Sequence, residues 1–221
     1  MKTNASQLKN KHCGEDIWVI AAGPSMNHVH PSFFEGKTTV GVNRVGKRFD
    51  CTYIVSKDAV GYKEVADNIK HSTLIMTKYE RGDPGTVLND VPYDFYYFDH
   101  PAKPDQAPDL SVVGTDQIVV SFSTITSALH LACYMGAKNV IICGHDCGVI
   151  DMEAAFRGYY TKDLKPHQVT AEGYAKFVSN DIEQHTIALK KVLQDVYGVN
   201  IHSLNPFINL GLEGHTYEKI T

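Results

Sequence analysis

Short runs of apolar residues recur along the chain, and most of them precede a turn or a helical pattern. Each run is four to six residues long and almost continuously apolar. This pattern is typical of parallel strands that are buried on both faces of a sheet. We predict seven strands, at residues 16–21, 38–42, 51–55, 73–76, 93–98, 139–143 and 199–203.

Two other segments carry apolar residues at helical spacing. Residues 123–135 begin with Ser and Thr and end before Gly136, and residues 172–197 end before Gly198. Glycine directly after the last periodic residue is a common helix stop. A strand follows each glycine, so strands alternate with helices. The fold class is therefore predicted to be α/β, a mostly parallel sheet flanked by helices.

The length of the chain, 221 residues, suits a single domain over residues 1–221. Residues 101–111 contain three prolines and are predicted to form a loop. Residues 151–171 are irregular and rich in Tyr, Lys and Arg. Loops of this length inside a compact domain often cover a binding site. We expect residues 151–171 to be a lid-like loop insertion.

The charge and the cysteine content of the chain indicate its cellular compartment and the partners that it does not attract. The formal net charge is −4, so no overall positive field attracts nucleic acid or an anionic membrane. The N-terminal residues lack the apolar core of a signal peptide, and no apolar stretch is long enough to span a bilayer. Five cysteines form no recognisable disulfide framework. We expect a cytoplasmic protein without a membrane span.

The turn after the first predicted strand is the first candidate for ligand binding. Gly23 permits a close backbone approach or a positive φ, Pro24 favours a helical turn, and Ser25 offers a hydroxyl. Free N–H groups at such a turn attract phosphate, and open α/β sheets bind ligands at this edge. An ordinary strand-to-loop turn is the alternative interpretation.

Three further strand or helix ends carry polar side chains that suit a nucleotide. Asn43 follows the second strand and offers an amide to a sugar or a base, although Asn also occurs in plain turns. After the third strand, Lys57 could bind phosphate and Asp58 could accept from a hydroxyl or bind a metal; a surface ion pair or an Asp cap is the alternative. Ser123 and Thr124 open the helix before the sixth strand, where hydroxyls bind an anion or cap the helix.

Titratable residues follow the sixth strand directly. Gly144 would let a ligand approach the backbone, while His145 and Asp146 could serve as acid, base or hydroxyl anchor. A turn in which the Asp bonds to the backbone is the alternative. Zinc bound by Cys143, His145 and Cys147 is not favoured, because the segment has no obvious fourth ligand. No metal ligand is assigned.

The predicted lid-like loop adds cations and aromatic residues. Arg157, Tyr159 and Tyr160 could close over a nucleotide phosphate, since a guanidinium and a tyrosine hydroxyl both bind such an anion. His167, in the same loop, is a candidate general base.

The motifs together resemble two related groups: the bacterial sialyltransferases that use CMP-sialic acid to make lipooligosaccharides, and the motility accessory factors with the 6-hydroxymethylpterin diphosphokinase-like proteins. The matching segments are Gly23-Pro24-Ser25, Gly41-Val42-Asn43, Ser123-Thr124 and Gly144-His145-Asp146.

The resemblance implies a Rossmann-like transferase with a nucleotide over the first turn. It implies that Asn43, Ser123 and Thr124 contact the nucleotide-sugar donor. It also implies that tyrosines such as Tyr159 and Tyr160 bind the donor phosphate, and that a loop histidine is the general base. The sialyltransferase motif has Asn before Gly-Pro-Ser, where this chain has Ala22.

The leading hypothesis is a glycosyltransferase that moves a sugar from a CMP- or UDP-linked donor to an acceptor hydroxyl. His145 or His167 would be the base and Asp146 would orient it, with divalent metal optional. The alternatives are a Mg-dependent diphosphokinase, with Asp58 and Asp146 on the metal, and a non-catalytic nucleotide-binding protein. The sequence leaves open whether the acceptor is a glycan, protein, small molecule or nucleic acid, and whether the protein is a homo-oligomer.

Overall fold

One parallel sheet of eight strands forms the centre of the protein. The computed structural model describes residues 2–57, 71–77, 95–99, 107–147, 153–160 and 182–204. The strands are β1 (Lys2–Asn4), β2 (Asp16–Ile20), β3 (Thr38–Val42), β4 (Tyr53–Ser56), β5 (Thr73–Thr77), β6 (Phe95–Phe98), β7 (Asn139–Cys143) and β8 (Asn200–Ser203). Their order is β1-β6-β5-β4-β3-β2-β7-β8, and every pairing is parallel.

Two α-helices are described, α1 (Thr124–Tyr134) and α2 (Glu183–Tyr197). All residues of α1 are buried, because the helix contacts four strands of the sheet and also packs against α2. Helix α2 is amphipathic and buries only Thr186, Leu189 and Leu193. It ends at Gly198, whose φ of 65° suits a left-handed cap. Among the helices of the described residues, none is long and apolar enough to cross a lipid bilayer.

The predicted α/β class and its parallel sheet are confirmed, and all seven predicted strands are present with ends that differ by a few residues. Strand β1 was not predicted. It consists of three polar residues at the edge of the sheet, beside β6, so it has no apolar run to reveal it. The predicted helical residues 172–181 lie outside the described residues, and the observed α2 begins at Glu183.

The strand order reverses between β2 and β7, and this reversal decides where a ligand site can form. The chain runs from β2 outward through β3, β4, β5 and β6, then returns to place β7 on the other side of β2. Open α/β sheets bind ligands outside the carboxyl ends of the strands at such a point. The loops that follow β2 and β7 meet there, since Ile20 is paired with Cys143.

Candidate nucleotide-binding site

A cavity opens at the carboxyl ends of β2, β3 and β7, next to the start of α1. The structure brings together residues that lie far apart in the sequence, and most of the predicted site residues are among those that line it. These are Gly23, Asn43, Ser123, Thr124, Gly144, His145, Asp146, Tyr159 and Tyr160.

The loop after β2 packs directly on the loop after β7. The Gly23 N–H donates to the Gly144 carbonyl oxygen at 2.7 Å. The backbone N–H and the hydroxyl of Ser25 each donate to a different oxygen of the Asp146 carboxylate at 2.6 Å. A Cβ on Gly23 would lie 2.5 Å from that carboxylate. The two loops therefore meet too closely for any residue but glycine at this position.

This packing changes the interpretation of the turn at residues 22–25. The N–H groups of Gly23 and Ser25 are engaged by the 144–146 loop, and Pro24 has none. The expected mode, in which free N–H groups of this turn hold a phosphate, is therefore not the one the structure shows. Residues 24–28 do form a helical turn, of 3₁₀ type. Gly23 still lines the cavity, and its role in binding stays a prediction.

Gly144 also has a structural reason to be glycine. Its φ is +69°, and a Cβ there would lie 2.7 Å from the Ala21 carbonyl oxygen and would overlap the Met26 side chain. The sequence interpretation assigned this glycine to the approach of a ligand. In the structure, the neighbouring loop already occupies that space.

Asn43 joins three parts of the site. It adopts a left-handed backbone conformation, with φ of 50°. Its Oδ1 accepts hydrogen bonds from Thr124 at 3.3 Å and from Ser56 at 3.4 Å. Its side chain also hydrogen-bonds the Tyr159 hydroxyl. Asn43 thus holds the end of β4, the start of α1 and the 153–160 segment around the cavity.

The N-terminus of α1 faces the cavity. Ser123 occupies the N-cap position but makes no side-chain cap hydrogen bond, and Thr124 donates its hydroxyl to Asn43. Plain capping, which the sequence suggested for at least one of these hydroxyls, is therefore not observed. The first N–H groups of a helix have no partner within it and carry the positive end of its dipole. This end of α1, with the Ser123 hydroxyl, suits an anion.

Tyr159 contributes a hydroxyl that stays protonated. Burial raises the pKa of Tyr159 to about 12, despite hydrogen bonds from Asn43 and the Arg44 backbone and the nearby Arg44 charge. Those hydrogen bonds occupy the oxygen as an acceptor and leave the O–H hydrogen to donate. Burial also raises the pKa of Tyr160, against the charge of Arg44, and the two rings pack edge to face at 4.9 Å.

The 153–160 segment is docked onto the body of the protein. Its Phe156 N–H donates to the Ala22 carbonyl oxygen at 2.8 Å, and the Phe156 ring packs against Phe49. The Asn27 amide donates to Glu153 and accepts from the Arg157 N–H, both at 2.8 Å. These contacts place Tyr159 and Tyr160 over one side of the cavity.

Several predicted residues lie elsewhere. The Arg157 side chain is 72% exposed and pairs with Glu153, away from the cavity lining. The Lys57 ammonium donates to the backbone carbonyls of Ser121 and Phe122, the latter at 2.8 Å, so it supports the loop that precedes α1. Asp58 and His167 lie outside the described residues.

His145 is buried on the β7 side of the cavity, with 6% of its surface exposed. Its Nε2 lies 2.9 Å from the Thr186 hydroxyl oxygen, and the Cys147 sulfur lies 3.6 Å from the same nitrogen. Burial lowers the pKa of His145 to about 4, so the ring is neutral at pH 7. Asp146, expected to orient this ring, instead binds Ser25, and burial raises the pKa of its carboxyl group.

Two residues of the site were not assigned from the sequence. Arg44 follows Asn43 and places its charge near both tyrosines, and the motif Gly41-Val42-Asn43-Arg44 already contained it. Cys147 lines the cavity beside His145 and entered the sequence interpretation only as a zinc ligand. Within the described residues, no group of three or more His, Cys, Asp or Glu side chains is placed to hold a metal ion.

No protein-family model matches this chain, and no curated protein is significantly similar to it in sequence. Solved structures are similar in fold. The sialyltransferase CstII from Campylobacter jejuni, in complex with cytidine-5'-monophosphate, has 11% identity and a TM-score of 0.53, over 91% of this chain and 85% of that one. The monofunctional α-2,3-sialyltransferase Cst-I from Campylobacter jejuni has 14% identity and a TM-score of 0.54, over 90% and 79%.

A third structure comes from the second group. The MAf glycosyltransferase from Magnetospirillum magneticum AMB-1 has 12% identity and a TM-score of 0.50, over 91% of this chain. The match covers only 35% of that longer protein. The resemblance to both groups that the motifs indicated is confirmed at the level of the fold: this chain shares the α/β architecture of the bacterial sialyltransferases and of a motility accessory factor.

Proposed function

We propose that the protein is a glycosyltransferase that moves a sugar from a nucleotide-sugar donor to an acceptor hydroxyl. Its fold is shared with enzymes described as sialyltransferases and as a glycosyltransferase. Its cavity lies at the reversal of strand order, the usual ligand position in open α/β sheets.

One observation carries this proposal: the cavity gathers neutral hydrogen-bond donors suited to an anion. They are the Ser123 hydroxyl, which makes no cap hydrogen bond, the N–H groups of Thr124 and Ile125 at the start of α1, and the protonated hydroxyl of Tyr159. Preorganised donors of this kind stabilise charge that develops during a reaction. In glycosyl transfer, that charge develops on the phosphate of the departing nucleotide.

The reaction would proceed by attack of an acceptor oxygen on the anomeric carbon. A base removes the proton of the acceptor hydroxyl, the new glycosidic bond forms, and the bond from sugar to nucleotide phosphate breaks. The nucleotide leaves with the bonding electron pair, and the donors around Ser123 and Tyr159 receive its negative charge. A metal ion is optional in this scheme, because fixed donors can replace it.

The general base is assigned to His167, on the resemblance alone. His145 is a weaker candidate because burial lowers the pKa of its ring to about 4, so the ring is a poor proton acceptor near pH 7. Asp146 is assigned the task of joining the loops after β2 and β7, through Ser25.

A CMP-linked sugar is the proposed donor and a carbohydrate hydroxyl the proposed acceptor. CstII is described in complex with CMP and with a trisaccharide acceptor. Ala22 stands where the sialyltransferase motif has Asn, so one contact to the CMP-linked donor is lost. A UDP-linked sugar is therefore the alternative donor. The shared fold does not favour the diphosphokinase alternative. A cytoplasmic location is part of the proposal and would be tested by fractionation.

The first experiment is a thermal-shift panel of CMP, CDP, UMP, UDP, GDP, ADP and ATP, each with and without Mg²⁺. A ligand that binds only the native state raises the melting temperature. We expect CMP to raise it without Mg²⁺, and Ser123→Ala to reduce the shift. Stabilisation by ATP alone, only with Mg²⁺, would favour diphosphate transfer, and no shift with any nucleotide would reject nucleotide binding.

The second experiment detects turnover. The protein is incubated with CMP-sialic acid or UDP-linked sugars and a panel of oligosaccharides, and release of CMP or UDP is measured by chromatography. Acceptor-dependent release supports the proposal. Nucleotide binding without release on any acceptor would favour the non-catalytic alternative.

A further inference from the structure

Hydrogen bonds around His145 define which of its ring nitrogens carries the proton. The Thr186 hydroxyl donates to the Ile182 carbonyl oxygen at 2.9 Å, a common arrangement for Thr within a helix. A hydroxyl has a single hydrogen, so toward His145 the Thr186 oxygen acts as an acceptor. On this assignment the His145 Nε2, at 2.9 Å from that oxygen, is the donor.

The tautomer with the hydrogen on Nδ1 is disfavoured, because its N–H group has no strong acceptor nearby. With the hydrogen on Nδ1, the nearest partner among the described residues is the Cys147 sulfur at 3.9 Å, a weak acceptor. A buried N–H without a partner is costly, and a buried imidazolium is costlier still. In the neutral ring with Nε2–H, the Nδ1 lone pair has one near partner among the described residues, the Cys147 thiol at 3.9 Å, which is a weak donor that a ligand hydroxyl or amino group can replace.

We propose that His145 is a fixed hydrogen-bond acceptor for the substrate through Nδ1, and that Thr186 is the positioning residue that holds the ring in this state. The inference rests on the proposed function, since it concerns the same cavity, which both His145 and Cys147 line. A lone pair at this point recognises a hydroxyl or an amino group. It therefore selects a ligand that presents such a donor, as the ribose hydroxyls and the cytosine amine of CMP do.

The tautomer can be read directly by NMR. The full-length protein is labelled with ¹⁵N-histidine, and long-range ¹H–¹⁵N spectra distinguish protonated from unprotonated ring nitrogens. The His145 signals are assigned by their loss in His145→Gln. We expect a protonated Nε2 and an unprotonated Nδ1 at pH 7. The opposite tautomer, or a doubly protonated ring, would overturn the inference even if the proposed function holds.

Ligand binding gives the second readout, with CMP as the probe and UDP as the comparison that lacks the amine. We expect the Nδ1 resonance to move when CMP saturates the protein. If CMP or UDP raises the melting temperature but the Nδ1 resonance does not move with either, the acceptor role is wrong and the proposed function survives. If neither nucleotide binds, both fail.

Two pairs of variants test the role of each ring nitrogen of His145 and the positioning role of Thr186. His145→Asn keeps a polar atom near the position of Nδ1, whereas His145→Gln keeps one near Nε2; we expect Gln to weaken CMP binding roughly tenfold more than Asn. Thr186→Val removes the hydroxyl and should mix the two tautomers in the NMR spectrum, while Thr186→Ser should restore the single form. Equal binding by the two His145 variants, or an unchanged tautomer in Thr186→Val, would contradict the proposal.

Discussion

At the scale of single residues, the site contains two kinds of polar side chain. One kind hydrogen-bonds to other parts of the protein, and the other makes no such structural bond within the described part of the chain. Asn43 and Ser25 use their polar groups to join loops, while the Ser123 hydroxyl has no capping role. Residues of the first kind determine the shape of the cavity. Residues of the second kind are the ones expected to contact a ligand.

Replacement of Ser123 tests this distinction. Because its hydroxyl does not cap α1, we expect Ser123→Ala to change the free energy of unfolding by less than about 0.5 kcal/mol and to weaken nucleotide binding roughly tenfold. Calorimetric binding of CMP and urea denaturation measure the two effects. The control is Ser111→Ala, whose hydroxyl donates to Asp109 away from the cavity. A loss of stability without a loss of binding would contradict the assignment.

Gly23 tests the packing of the two loops. A Cβ at this position would lie 2.5 Å from the Asp146 carboxylate, so we expect Gly23→Ala to cost about 3 kcal/mol of unfolding free energy through overpacking. The matched control is Gly36→Ala. Gly36 has φ of +72° and no atom near its absent Cβ, so backbone strain alone should cost about 1 kcal/mol. Equal costs for the two variants would show that the loops tolerate a wider spacing.

At the scale of elements, the 153–160 segment depends on Asn27 for its position. The Asn27 amide contacts both Glu153 and the Arg157 N–H, and the Arg48 guanidinium donates to the Asn27 carbonyl oxygen at 3.3 Å. The segment carries the two tyrosines that border the cavity. Its docking and the binding of a nucleotide should therefore be coupled.

We expect Asn27→Ala to loosen this segment, to speed tryptic cleavage after the exposed Arg157 several-fold, and to weaken CMP binding. Saturating CMP should slow that cleavage. Limited trypsin digestion followed by mass spectrometry is the measurement. Asn200→Ala, which removes an exposed hydrogen bond to Asn139 between β7 and β8, is the control and should leave both properties unchanged. Unaltered cleavage in Asn27→Ala would mean that Phe156 alone holds the segment.

At the scale of the whole molecule, buried neutral histidines make the protein sensitive to acid. Burial lowers the pKa of His130 to about 3, and its Nδ1 accepts a hydrogen bond from the Val119 N–H at 3.0 Å. The unfolded chain binds a proton at His130 as the pH falls through 6.5, while the native protein does not until about pH 3. The contribution of neutral His130 to the free energy of unfolding is therefore complete above pH 6.5, and it decreases as the pH falls below 6.5.

The expected size follows from the shift: between pH 7 and pH 5, His130 alone should remove about 2 kcal/mol of unfolding free energy. His130→Asn keeps an acceptor near the position of Nδ1 and cannot titrate. Its unfolding free energy, from urea denaturation at each pH, should therefore fall less steeply than that of the wild-type protein. Parallel pH curves for the two proteins would contradict this account.

Much of the architecture could be predicted from the sequence because strands and helices depend on local periodicity. The runs 38–42 and 139–143 were predicted with the bounds that the structure has. Polar residues directly after buried strands were expected to meet at one edge, and Gly23, Asn43 and His145 do line one cavity. Strand β1 escaped prediction, because backbone pairing at a sheet edge needs no apolar pattern.

The sequence by itself therefore determined the α/β class, the order of the main elements and the residue types gathered at the site. Only the tertiary structure decided which of those groups remain available to a ligand. Ser25 and Asp146 lie 121 residues apart, so no local pattern could show that they bind each other. The same holds for His145 and Thr186. Hydrogen-bond partners in a folded protein are chosen by proximity in space, which periodicity along the chain does not encode.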